Sequence, residues 1–118
     1  MRGRFGCERS VVGEGLVALD LSGELDIETV PIFEAAIERV LADAPATAVL
    51  EMHGLEFLDS TGLRAILEAH ERLRDQGAQL VLTHGRRNVQ LTFVITGLDA
   101  HLSFVDTLAQ LTGDERGK

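Results

Sequence analysis

The chain is 118 residues long, 45% apolar and 25% charged, with a formal charge of −8. That length supports one core and leaves too little chain for a second, and the apolar share is well above that of a disordered chain. The negative charge repels a phosphate backbone or an anionic membrane surface at long range, which sets nucleic acid and lipid aside as partners.

Arg2 and Arg4 are followed by no apolar run, and no segment approaches the roughly 20 apolar residues that a membrane span needs. With neither a leader nor a span, the expected location is the cytoplasm. Cys7 has no second cysteine to pair with and no set of Cys or His at zinc spacing nearby. It reads as a thiol without a role in a reducing compartment.

Residues 16–22 alternate, with Val17, Leu19 and Leu21 on one side and Ala18, Asp20 and Ser22 on the other, as a half-buried strand requires. A strand over 7–12 pairs with it through a hairpin at Gly13-Glu14-Gly15, a pair of glycines that lacks the third glycine and the context of a dinucleotide site. Over 26–43, Val30, Phe33, Ile37, Val40 and Leu41 recur at helical spacing while Glu34, Glu38 and Arg39 point away. Asp26 or Thr29 can cap this helix, and Pro31 suits its first turn. The run 46–52 after Pro45 predicts a strand buried on both faces.

A loop over 54–60 then leads to a helix over 60–76, with Leu63, Ile66, Leu67 and Leu73 at helical spacing and Gly77 at its end. A strand at 79–83, a helix from about 86 to 96 stopping at Gly97, a strand at 102–105 and a short helix at 106–111 complete the order ββαβαβαβα. Helices that alternate with strands force parallel crossovers, and the first hairpin makes the sheet mixed. The expected fold is therefore α/β, one domain over 1–112 with a mixed four- to five-stranded sheet and about four helices. The tail 113–118 is expected to be disordered. Right-handed crossovers place helix starts at the carboxyl ends of the strands, where such sheets carry their working sites.

The segment Leu55-Glu56-Phe57-Leu58-Asp59-Ser60-Thr61-Gly62-Leu63 sets two hydroxyls and a glycine at a helix start. The first-turn amides lack intrahelical acceptors and carry partial positive charge, so an anion on Ser60 would be stabilised by roughly 0.3–1 kcal/mol. Gly62 costs helix propensity of about 1 kcal/mol relative to Ala, which is explained if it leaves the hydroxyls uncovered. By themselves Asp59 and Ser60 read as ordinary helix caps, as most such residues at a helix start do.

Three stretches together resemble the bacterial STAS-domain anti-sigma factor antagonists. Asp59-Ser60-Thr61-Gly62-Leu63 is similar to the family's Asp-Ser-Ser/Thr-Gly-Leu signature, Gly23-Glu24-Leu25-Asp26 to its Gly-Glu-Leu/Ile-Asp turn, and Thr96-Gly97-Leu98 to its Ser/Thr-Gly-Leu ending before the last strand. The match in order and spacing covers about 16–105. The resemblance implies a STAS-like fold without catalysis or cofactor, and a partner switch. In that switch Ser60 accepts phosphate, with Thr61 the lesser candidate, from an anti-sigma factor that is also a serine kinase of the GHKL type. Unmodified protein binds the kinase, freeing a sigma factor, and a metal-dependent serine phosphatase resets the modified form. The docking surface expected from this comprises Asp26, Asp59, Ser60, Thr61, Gly62, Leu63 and Arg64. For Asp26 and Asp59, capping and partner contact are compatible.

The helix over 86–96 departs from the usual pattern. Val89, Thr92, Phe93 and Thr96 suit the sheet, yet Leu91, Val94 and Ile95 form a second apolar stripe where charge is usual. That face fits a homodimer, or cover by the chain's own tail. His53, His70, His84 and His101 are scattered without zinc-pair spacing, so no metal site is expected, and His70 reads as a packing residue. Two other functions remain open: a STAS scaffold or regulatory module of a stress-signalling or transporter complex, and a weak nucleotide binder or hydrolase. The chain lacks a phosphate-binding loop with its lysine and the Gly-x-Ser-x-Gly elbow, both of which count against the latter.

Overall fold

A computed structural model describes residues 4–112. Two strands open it, β1 (Phe5–Gly13) and β2 (Leu16–Leu25), followed by α1 (Val30–Asp43), β3 (Thr47–Leu58), α2 (Ser60–Asp75), β4 (Gln79–Thr83), α3 (Arg87–Ile95), a 3-10 turn at Leu98–Ala100, β5 (Ser103–Val105) and α4 (Ala109–Thr112). The strands form one sheet in the order β1-β2-β3-β4-β5. β1 and β2 are antiparallel, and every later pairing is parallel. This is the expected mixed sheet, with its five strands and ββαβαβαβα order.

Two rows of side chains run across the sheet in register. Leu19, Leu50 and Leu82 are neighbours on β2, β3 and β4, each at most 1% exposed. They share a cluster with Phe33, Ile37 and Val40 of α1 and Leu63, Ile66 and Leu73 of α2. Each such buried side chain contributes about 1.5–3 kcal/mol. One residue earlier on each strand, Ala18, Val49 and Val81 are also buried, outside that cluster and therefore on the opposite face, because side chains alternate along a strand. Ala18 was expected on the solvent side; its place between covered neighbours overrides the alternation with Asp20 and Ser22, which are exposed.

β3 differs most from expectation. It runs to Leu58, so the loop expected over 54–60 is strand up to one residue before α2. Pairing with β2 carries it on, with Ser22 beside Gly54, Gly23 beside Leu55 and Leu25 beside Leu58 across two irregularities of register. The turn at Leu98–Ala100 was not expected, and α4 is only four residues long. On α3, Val89 and Phe93 are fully buried as expected, but Thr92 is half-buried and Thr96 exposed. Thr96 instead donates its hydroxyl to the Thr92 carbonyl, closing the helix. The tail expected at 113–118 lies outside the described residues, as do residues 1–3.

Candidate functional site

β2 and β3 end side by side at Leu25 and Leu58, so Asp26 and Asp59 each follow directly on a paired strand end at the carboxyl edge of the sheet. The Asp59 amide reaches back to the Leu25 carbonyl at 3.4 Å. α2 must then start hard against β2, and Gly62 permits it. A β-carbon at Gly62 would fall 2.6 Å from the Leu25 carbonyl oxygen and 2.9 Å from both the Leu25 and Leu58 side chains. The missing side chain therefore faces inward, and the expectation that it uncovers the hydroxyls is replaced by one of close packing.

Asp59 occupies the N-cap with extended backbone, and its Oδ1 accepts the Gly62 amide at 2.9 Å. Ser60 follows, exposed, with a hydroxyl that makes no hydrogen bond to the described residues. Thr61 is half-buried, while Gly62 and Leu63 are buried. Arg64 is exposed, has no ion pair among the described residues, and stands four positions after Ser60 on the same helical face. Of the seven residues expected to form a docking surface, Ser60 and Arg64 thus project outward, Asp59 and Thr61 lie at the rim, and Asp26, Gly62 and Leu63 sit beneath.

Asp26 is 3% exposed. Its Oδ1 accepts the amides of Glu28 and Thr29, and its own amide donates to the Thr29 hydroxyl, which donates to the Glu24 carbonyl at 2.8 Å. Asp26 and Thr29 together tie the turn into α1, although Thr29, at the N-cap position, makes no side-chain cap bond to the helix amides. Ahead of them Gly23 holds φ at 83°, and a β-carbon there would fall 1.4 Å from the Arg4 carbonyl oxygen, which accepts the Glu24 amide. The Gly23-Glu24-Leu25-Asp26 stretch is thus a backbone device: a residue without a β-carbon, then a carboxylate that closes the turn.

The outer part of β3 passes beyond its pairing with β4, which ends at Leu50 beside Leu82. Side chains replace strand there. The Thr83 hydroxyl accepts the Met52 amide, Arg86 Nε donates to the His53 carbonyl, and Asn88 donates to the Glu56 carbonyl. Around this edge three apolar side chains project that sequence reasoning passed over: Ile27 (72% exposed), Ile32 (50%) and Phe57 (40%). Ile32 carried a signal, since it falls off the 3–4 spacing of the α1 stripe, whereas Ile27 keeps that spacing, three residues before Val30, but lies ahead of α1.

Leu91, Val94 and Ile95 form an exposed face on α3, at 49%, 50% and 74%. Burial first, and then the Asp20 charge, push the Cys7 thiol up to about 11, which leaves it neutral and unreactive at physiological pH. Burial foremost, then Asp20, also raises the Glu51 carboxyl, against a smaller opposing effect of His53. Glu51 sits beside Asp20 on β2, which sits beside Glu8 on β1, so three carboxylates cross the sheet in a row. No cluster of His, Cys, Asp and Glu placed to hold a metal ion occurs among the described residues, and no helix among them is long and apolar enough to cross a membrane.

A family model for the STAS domain matches residues 10–111. The chain is 32% identical over 108 residues to the anti-sigma-F factor antagonist RsfB of Mycobacterium tuberculosis, covering 88% of this chain and 85% of that one. An anti-sigma factor antagonist from Mycobacterium paratuberculosis superposes with a TM-score of 0.82 at 27% identity, covering 96% of this chain and 95% of that one. The unphosphorylated form of the anti-sigma factor antagonist SpoIIAA superposes with a TM-score of 0.77 at 24% identity over 96% and 98% of the two chains, a likeness of fold.

Proposed function

The chain belongs to the STAS domain family, and on that premise we propose that it is an anti-sigma factor antagonist whose partner is chosen by the phosphorylation state of Ser60. Unmodified, it docks its α2 edge on an anti-sigma factor that is also a serine kinase of the GHKL type, in the cytoplasm, and the sigma factor is freed. The kinase moves the terminal phosphoryl group of ATP to Ser60. A bond forms between Ser60 Oγ and phosphorus, the bond to ADP breaks, and the hydroxyl proton passes to a base on the kinase. A metal-dependent serine phosphatase returns the hydroxyl by hydrolysis. The chain itself performs no catalysis.

The observation that carries this reading is the exposed, uncommitted Ser60 hydroxyl at the first turn of a sixteen-residue helix. A phosphate there would meet the α2 amides and the positive end of the helix, with Arg64 one turn on. It would also face Asp59, whose carboxylate already takes the Gly62 amide. The modification adds about −1.5 to −2 charge on the docking surface while the fold is kept, and charge at a desolvated contact can weaken a complex by several kcal/mol. Ser60 and Arg64 would touch the partner directly. Asp59 and Thr61 would do so at the rim, while Asp26, Gly62 and Leu63 would shape the surface from beneath.

The test is incubation with ATP and the serine kinase, followed by mass spectrometry. Phosphate on Ser60, absent from Ser60→Ala, supports the assignment; phosphate elsewhere, Thr61 included, overturns it. The apolar α3 face favours a second association, a homodimer through Leu91, Val94 and Ile95. Sedimentation showing a dimer that Leu91→Glu converts to monomer supports that association, and monomer alone at micromolar concentration overturns it.

A further inference from the structure

Between α1 and α2, apart from the Ser60 edge, lies a cavity of about 290 Å3. Its floor is apolar: Phe33 and Ile37 from α1, Ala65 and Ala69 from α2, all between 0% and 6% exposed. Ala65 and Ala69 stand four residues apart on one face of α2, and their short side chains leave open a gap that longer ones would fill. The rim is charged, with Glu34 and Glu38 on one side and Glu68 and Arg72 on the other. Arg72 is engaged in a forked pair with Glu38, whose hydrogen bonds foremost hold the Glu38 carboxyl below its usual range. Glu34 and Glu68 have no cationic partner among the described residues.

We propose that this groove seats a basic amphipathic segment of a partner protein, with the aliphatic stem of a lysine or arginine in the gap over Ala65 and Ala69 and its charge between Glu34 and Glu68. The stem of a long cationic residue covers apolar surface while its head stays at the wet rim. The charge of −8 on the chain would draw a basic partner in and slow an acidic one. A second copy of this chain carries the same negative charge and is disfavoured.

The test uses the full chain, isotope-labelled, titrated with a capped helical peptide of Leu, Ala and Lys that places lysines at i and i+4. The expected result is saturable shifts of the Ala65 and Ala69 amides, with Kd raised at least about tenfold by E34Q/E68Q and binding abolished by A69L. The surface double variant keeps the test decisive should A69L fail to fold. Shifts elsewhere, or unchanged affinity for E34Q/E68Q, would overturn the proposal. So would hexylammonium binding as tightly as the peptide, which would make this a small-amine site. None of these results bears on Ser60, so the two readings stand or fall separately.

Discussion

Gly62 rests its bare α-carbon against the carbonyl of Leu25, so closely that a β-carbon would lie 2.6 Å from the oxygen. Two effects oppose each other on substitution. Alanine gains helix propensity of about 1 kcal/mol over glycine, whereas overpacking costs typically 1–3 kcal/mol, and here the obstacle includes backbone that cannot swing away. Gly62→Ala is therefore expected to lower the urea midpoint with the slope unchanged, a net loss of up to about 2 kcal/mol. A midpoint equal to or above that of the parent would show that α2 does not need this approach.

Asp59 offers a way to separate capping from docking. Its Oδ1 accepts the Gly62 amide, a bond that an asparagine oxygen can also make. Asp59→Ala should lose about 1 kcal/mol of stability, and Asp59→Asn only a few tenths. If the charge of Asp59 is also felt by a partner, Asp59→Asn will weaken docking while keeping its melting temperature. Equal destabilisation by both substitutions would contradict the cap.

The raised Glu51 carboxyl makes a pH prediction whose sign can be worked out. Its folded value lies above the unfolded reference of 4.5 because burial, then Asp20, disfavours the charge. Below 4.5 the group is protonated in both states and imposes no penalty; the penalty grows as pH rises through the folded value and is complete above it. Glu51→Gln should therefore stabilise the protein at pH 7, with the advantage fading in acid. Denaturant titrations at pH 7 and near pH 4 check this, and an advantage that grows in acid would contradict it.

The order of elements was legible because α1 and α2 repeat their apolar residues at helical spacing and the strands between them are short apolar runs. The outer half of β3 was not. His53, Gly54 and Glu56 interrupt the apolar run, and what keeps them extended is the paired end of β2 with the side chains of Arg86 and Asn88, which only the assembled fold brings near. The site divides in the same way. Asp59 ahead of Ser60-Thr61 was readable as a cap, whereas the inward role of Gly62 and the burial of Asp26 depend on how closely β2 and α2 meet.

The affinity of the anti-sigma factor kinase for this chain, measured by calorimetry with Ser60 unmodified and then fully phosphorylated, tests the switch most directly. Phosphorylation is expected to weaken binding by at least about 30-fold, the lower end of what 2–5 kcal/mol at a buried charged contact provides. Equal affinity in the two states, with the phosphate confirmed on Ser60, would contradict it.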